Sequence, residues 1–275
     1  MSAAPPTTAE VMAVAMSREL QGAELVQLGL ASALGQTSAV LAKHLAPDGL
    51  LLEDPAALTL SDRPRRARLT RSEAEAEAGC ILHFDVTEMV GQVMPNVAGR
   101  MRQFIRPLQV DAKGRINTYR VARKDGSWLR VAGLAGLAEV AEFANPFLLY
   151  IPGQDLRGFV EEVDFCVCAP LEARAAMGDA RIVLVTDLAV FDFTAAGTRA
   201  RSIHPGVSME TLRAATPAGV ELDGAAQTAP PTDEELRVLR EVADPLGLRD
   251  VEFLRSEERR ARMREIARAE AADPA

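Results

Sequence analysis

Three consecutive segments constrain the fold more than anything else in this sequence. ELVQLGL (24–30) is a short apolar run suited to a strand. ASALGQTSAVLAKHL (31–45) puts Leu34, Ser38, Leu41 and Leu45 on one helical face, and GLLLE (49–53) is a second strand-like run. Strand, helix and strand within about thirty residues is the size of a β–α–β unit, whose two strands run parallel. In open parallel sheets the reactive groups sit at the carboxyl ends of strands. Glu53 stands at such an end with Asp54 beside it, and after Leu28 the small residues Gly29, Ala31 and Ser32 leave room for a ligand.

The rest of the chain extends this α/β pattern. Thr8 is placed to cap a helix over residues 9–20, with Val11, Met12, Ala15, Met16 and Leu20 on one stripe and Gly22 ending it. DVTEMVGQVM (85–94) and AGLAEVAEFA (135–144) read as helices, and PFLLYIP (146–152) as a buried strand. In RPLQVDAKGRINTYRV (106–121) a turn at Asp111-Ala112-Lys113-Gly114 joins two strand-like flanks. FVEEVDFCVC (159–168) alternates like a strand that sets Cys166 and Cys168 on one side, and RIVLVTDLAVFDF (181–193) reads as two strands turning at Asp187. Thr232 with Glu235 forms a capping box. The expected organisation is a short disordered lead (1–8), one domain (9–252) and a charged helix or tail (253–275).

Composition removes several classes of function. The 275 residues are 48% hydrophobic, enough for a sizeable core. Aromatics at 4% and a net charge of −8 argue against a nucleic-acid surface. Residues 61–79 place five arginines before three glutamates; the pattern reads as an exposed, self-neutralising loop, with an anion or partner patch as the alternative. Three cysteines make no disulfide framework, and neither an N-terminal apolar h-region nor a run of about 18 apolar residues occurs. The expectation is a cytoplasmic protein with no membrane segment.

Few groups remain for chemistry. G-x-S-x-G, G-x-G-x-x-G and the phosphate-loop lysine motif are all missing. Cys166 and Cys168 lack a second pair at zinc spacing, so no metal is expected and inert thiols are the simpler reading. His204 reads as a hydrogen-bonded turn residue, and His44 suits a helix C-terminus. That leaves carboxylates. A carboxylate can attack an activated acyl group and form an anhydride, given partial desolvation and a nearby oxyanion donor. From its position alone, Glu53 is either such a nucleophile or a structural acid at a strand end.

Several segments resemble the B (beta) subunit of class I coenzyme A transferases. Gln109-Val110-Asp111-Ala112-Lys113-Gly114-Arg115-Ile116-Asn117-Thr118 is similar to that family's Q-V-D-x-x-G-x-x-N-[ST] turn, and Phe159 to Phe165 to its F-V-E-x-V-D-F segment. Phe191-Asp192-Phe193, His204-Pro205-Gly206-Val207 and Pro231-Thr232-Asp233-Glu234-Glu235-Leu236 follow in the family's order. Arg201 to Val207 and Leu246-Gly247-Leu248-Arg249-Asp250 make the C-terminal half most similar to the beta subunit of the coenzyme A-dependent ring-opening hydrolases of steroid catabolism.

The resemblance implies an open, mostly parallel sheet flanked by helices, on a scaffold shared with sugar-phosphate isomerase-like proteins. It also implies an alpha (A) subunit as partner and acyl-CoA as substrate, with coenzyme A as co-substrate and no permanently bound cofactor. Glu53 becomes the nucleophile of a transferase that works through a glutamyl-CoA intermediate, with Asp54 beside it. Gly29, Ser32, Gln109, Asn117, Gly133 and Gly136 become candidates for binding coenzyme A, with Gln109, Asp111 and Asn117 better suited to building the turn than to reacting. The alternatives are a ring-opening hydrolase whose main acid or base lies in the A subunit, and a non-catalytic partner subunit. A sugar-phosphate isomerase-like or ligand-sensing domain is a weaker third.

Three departures from the family pattern bear on the site. Glu53-Asp54-Pro55 replaces an E-S-G or E-N-G turn, and proline removes a backbone N–H. Val131-Ala132-Gly133-Leu134-Ala135-Gly136 thins a glycine-rich stretch, where Leu134 and Leu137 are expected to crowd a ligand. Gly114-Arg115 replaces Gly-Asn.

Overall fold

The computed structural model describes residues 4–29, 32–55, 57–63, 66–70, 76–77, 79–134, 136–176 and 179–272. Ala31, Ala135, residues 1–3 of the expected lead and much of the arginine–glutamate segment (64–65, 71–75, 78) lie outside the described residues. The rest form two compact units, one within Met1–Gln103 and Pro230–Ala275, the other within Phe104–Ala229.

The first unit carries the β–α–β motif. Its elements include α1 (Thr8–Arg18), β1 (Leu25–Gln27), α2 (Ala33–Leu45), β2 (Leu51–Asp54), β3 (Thr59–Ser61), β4 (Leu82–His83) and the start of β5 (Met101–Ile105). β1 runs parallel to both neighbours, with Leu25 opposite Leu51 of β2 and Met101 of β5. β3 then adds antiparallel to β2, and β4 antiparallel to β3. The chain leaves β1 towards β2 and later returns to β1's other side as β5. The gap between β1 and β5 is therefore the point where strand order reverses, the usual ligand crevice of an open α/β sheet.

Helix α1 starts one residue earlier than expected. Thr7, not Thr8, is the cap, because its hydroxyl accepts the Glu10 N–H at 3.3 Å while the Glu10 carboxylate accepts the Thr7 N–H at 2.9 Å. Every residue from Ala9 to Ser17 is buried, so the expected single stripe understates its burial. That buries Glu10, whose carboxylate takes Arg240 Nε at 2.7 Å and Arg249 Nη2 at 3.1 Å. Burial pushes the Glu10 carboxyl up, but the bonds from Arg240 and Thr7 and the Arg249 charge outweigh it and bring it down to about 2. The Ser256–Ala272 helix docks by Ile266 on Ala67, Leu248 and Val251. Its Glu270 carboxylate accepts the Leu69 and Thr70 N–H groups at 2.7 and 2.8 Å.

The second unit centres on β10 (Phe147–Ile151) and β12 (Ile182–Thr186), a fully buried parallel pair reached from the last residues of β5. β13 (Ala189–Thr194) and β14 (Gly197–Ile203) continue antiparallel, and the Thr186–Ala189 turn is the one expected at Asp187. The Asp111–Gly114 turn is also present, joining β6 (Gln109–Asp111) to antiparallel β7 (Ile116–Asn117), with Gly114 at φ +71°.

The expected strand over 159–168 is shorter. Only β11 (Phe159–Val160) pairs, parallel to β6. Beyond it the backbone N–H groups of Val163 and Asp164 go to the side chains of Asp111 and Gln109, at 3.4 and 3.0 Å, instead of to a ladder. Cys166 and Cys168 therefore do not share a strand face. A hairpin of β8 (Arg120–Ala122) and β9 (Trp128–Arg130), not expected from the sequence, stacks the Arg120 guanidinium between Trp128 and Phe165, 4.4 and 4.5 Å from the ring centres. Among the described residues no helix is long and apolar enough to cross a membrane.

Candidate functional site

The sequence-derived candidates fall into two groups, one per unit. Gly29, Ser32, Glu53 and Asp54 lie in the first; Gln109, Asn117, Gly133 and Gly136 lie in the second.

In the first unit the crossover geometry puts the polar groups at the strand ends. Glu53 is opposite Gln27 in the β1–β2 register, and Gln27 is opposite Gln103 in the β1–β5 register. Registered neighbours point to the same face of a sheet, about 4.8 Å apart. Gln103, Gln27 and Glu53 thus make a row across three strand ends, with exposures of 8%, 9% and 0%. Buried parallel strands normally read as uninterrupted apolar runs, so three polar residues in one register are a departure from the packing rule. Oε1 of Gln27 and Oε1 of Gln103 are buried without a hydrogen-bond partner among the described residues. Asp54 pairs in register with Thr59, and its carbonyl accepts the Ala57 N–H at 3.3 Å, so the chain turns directly after Pro55.

Ser32 occupies the N-cap position of α2. The Leu34 N–H in the helix's first turn is taken at 2.9 Å by the Glu252 carboxylate, from the far end of the sequence. Gln27, Gln103 and Glu252 were all missed by sequence reasoning. The available signal was a glutamine inside the apolar run ELVQLGL and another in the strand segment MRQFI; nothing local marks Glu252.

In the second unit Gln109 and Asn117 are bound into the loop they shape. Asn117 Nδ2 donates to Gln109 Oε1 at 2.8 Å, and Asn117 Oδ1 accepts the N–H groups of Tyr119 and Arg120. Gln109 Nε2 donates to Asp164 at 3.1 Å. These carboxamides hold a turn, as their residue types suggest. Arg115, in place of the family's asparagine, donates to the fully buried Asp111 at 2.7 Å.

Gly133 lies against Thr118, whose hydroxyl donates to the Gly133 carbonyl. A Cβ on Gly133 would meet the Thr118 carbonyl oxygen at 1.8 Å, so close backbone packing requires the glycine. Gly136, at φ +66°, starts the Leu137–Phe143 helix. Leu137 is buried in that helix's packed face while Leu134 is half exposed, so Leu137 does not crowd the turn as expected.

His204 is buried and hydrogen-bonded, as expected from the sequence. Nε2 lies 2.9 Å from the Thr186 carbonyl, which only accepts, so Nε2 carries the proton; Nδ1 lies 3.0 Å from the Thr228 hydroxyl. Burial holds its pKa below the ordinary value. Burial likewise pushes the Cys168 thiol up to about 11, which suits an inert thiol. Among the described residues no group of three or more His, Cys, Asp or Glu could hold a metal ion.

No family model matches the chain. The cholesterol ring-cleaving hydrolase IpdB subunit of Mycobacterium tuberculosis is 32% identical over 258 residues, covering 90% of this chain and 98% of the relative. The chain belongs to the coenzyme A transferase family, among its B subunits. The B subunit of the 3-oxoadipate CoA-transferase of Pseudomonas knackmussii is 28% identical over 150 residues, 50% of this chain and 56% of the relative. In fold the chain is similar to Rhodococcus jostii RHA1 IpdAB, with a TM-score of 0.75 at 23% identity over 92% of this chain and all of that one. The resemblance drawn from the motifs and the α/β, mostly parallel sheet both stand.

Proposed function

We propose that this B subunit works with an A subunit on acyl-CoA thioesters, and that Glu53 carries the covalent step. The observation behind this reading is the placement of a fully buried carboxylate at the carboxyl end of β2, in register with Gln27 beside the strand-order switch. A desolvated carboxylate is the better nucleophile towards a thioester. One Glu53 oxygen attacks the thioester carbonyl and the carbon–sulfur bond breaks. Coenzyme A leaves as the thiolate, and an acyl-glutamyl anhydride remains. The thiolate then attacks the glutamyl carbonyl, the acyl group departs as a carboxylate, and a glutamyl-CoA thioester forms. Coenzyme A is thus a co-substrate and no resident cofactor is invoked. Gly29 and Ser32, on the loop after β1, are candidates for contacting it; Gln109, Asn117, Gly133 and Gly136 contribute by shaping the second unit's loops. The three cysteines are free, in keeping with a cytoplasmic setting.

A second reading is favoured by the relative matched along nearly its whole length, a ring-cleaving hydrolase subunit. There the A subunit supplies the main acid or base and Glu53 or Asp54 assists. The two separate by mass spectrometry of the A–B complex after incubation with a panel of acyl-CoAs. A coenzyme A adduct on the Glu53 peptide, absent in Glu53→Ala and retained in Asp54→Ala, is the transferase result. Acyl-CoA consumed without any adduct is the hydrolase result. Neither adduct nor turnover on any thioester overturns both and leaves a non-catalytic partner subunit.

A further inference from the structure

Resting on the acyl-CoA reading, we infer that Gln27 and Gln103 form the seat of the pantetheine arm, each carboxamide reading one of its two amides. The row has a direction. Glu53 stands at one end, Gln27 one strand spacing away, and Gln103 one further, across the strand-order switch between β1 and β5. The thioester sulfur of coenzyme A is followed after two methylenes by one amide. A second amide follows one β-alanine later. A β-alanine spans roughly 5 Å, one methylene more than the ~3.6 Å of an extended peptide residue. Strand spacing is about 4.8 Å. With the thioester at Glu53, the first amide falls at Gln27 and the second at Gln103.

The chemistry matches the spacing. A glutamine carboxamide offers one acceptor and two donors, the complement of an amide's N–H and C=O. Both glutamines have a buried Oε1 without a partner among the described residues. An orphaned buried acceptor destabilises the empty protein, and at a functional site it marks a partner still to come. A half-turn of the terminal amide exchanges Oε1 and Nε2 with no other movement, so either atom can meet the ligand. Ordinary packing would place leucine at both positions.

The test uses the A–B complex and one acyl group that the wild type consumes as its CoA thioester. That acyl group is presented on coenzyme A, on pantetheine, on N-acetylcysteamine (first amide only) and on ethanethiol (no amide). Gln27→Leu and Gln103→Leu are compared, with the Met variants as controls for packing. The wild type should prefer each added amide by about five- to tenfold in kcat/KM, the worth of a neutral hydrogen bond. Gln103→Leu should collapse the preference for pantetheine over N-acetylcysteamine and keep that for N-acetylcysteamine over ethanethiol; Gln27→Leu should do the reverse. Both Leu variants should melt no lower than wild type. If all four thioesters lose equally, or the melting temperature falls with them, the glutamines are structural and the inference is overturned while the acyl-CoA reading stands. If the wild type consumes no thioester at all, both fall together.

Discussion

Glu10 is the most informative place to perturb the first unit, because its carboxylate ties α1 to residues more than two hundred positions later. Its partners are Arg240 at 2.7 and 2.8 Å and Arg249 at 3.1 Å. A drop in carboxyl pKa from 4.5 to about 2 corresponds to about 3 kcal/mol at 1.36 kcal/mol per unit. Arg240 is a quarter exposed, so water screens part of that interaction, and about 2 kcal/mol is the expected net contribution. Because the folded-state value lies below the unfolded one, this stability is fully present above pH 4.5 and is lost as pH falls towards 2. Glu10→Gln should therefore cost about 2 kcal/mol at pH 7, and the gap to wild type should close on acidification. Urea unfolding of both proteins at pH 7, 4 and 3, with matched ionic strength, measures it. A gap that is constant with pH, or below about 0.5 kcal/mol at pH 7, would refute the argument that ion pairing holds the two segments together.

Three further outcomes follow from particular contacts. Gly133→Ala forces a Cβ into the Thr118 carbonyl, and should cost about 2 kcal/mol or more, visible as a lowered melting temperature. His204 is held neutral by burial, so its contribution is present above about pH 6.5 and lost as pH falls; His204→Gln should flatten the stability profile between pH 7 and 5. The Cys168 thiol, raised to about 11, should react with iodoacetamide at pH 8 at least tenfold more slowly than free glutathione, about one-thousandth of it being thiolate there; equal rates would contradict its burial.

How much of this was legible in the sequence depended on how local the cause was. The strand–helix–strand core, the Asp111–Gly114 turn and the Thr232–Glu235 cap rest on neighbours a few residues apart, and all appear. The strand expected through Cys168 stops after Val160 because Gln109 and Asp111, some fifty residues upstream, capture its backbone N–H groups. Alternating hydrophobicity cannot register a competing side chain from another element. The hairpin at 120–130 went unread because an Arg–aromatic stack, rather than apolar alternation, holds it. The site divided the same way. Glu53 was visible as an acid ending an apolar run, whereas the Gln27–Gln103 row exists only once three strands are brought into register.

The interleaving of the two units along the chain also dictates an order of assembly on the ribosome. The first unit is built from Met1–Gln103 and from Pro230 onward, with the second lying between them in the chain. At ~5–20 residues per second, synthesis of the intervening stretch lasts about 6 to 25 s. Through that interval α1 has neither Arg240 nor Arg249 for Glu10, α2 has no Glu252 on its first turn, and Ala67 has no Leu248, Val251 or Ile266 to pack against. The nascent chain must therefore carry a half-built, apolar platform while the contiguous middle segment completes itself. The first turn of α2, which follows the loop after β1, gains its Glu252 partner only once residue 252 has emerged.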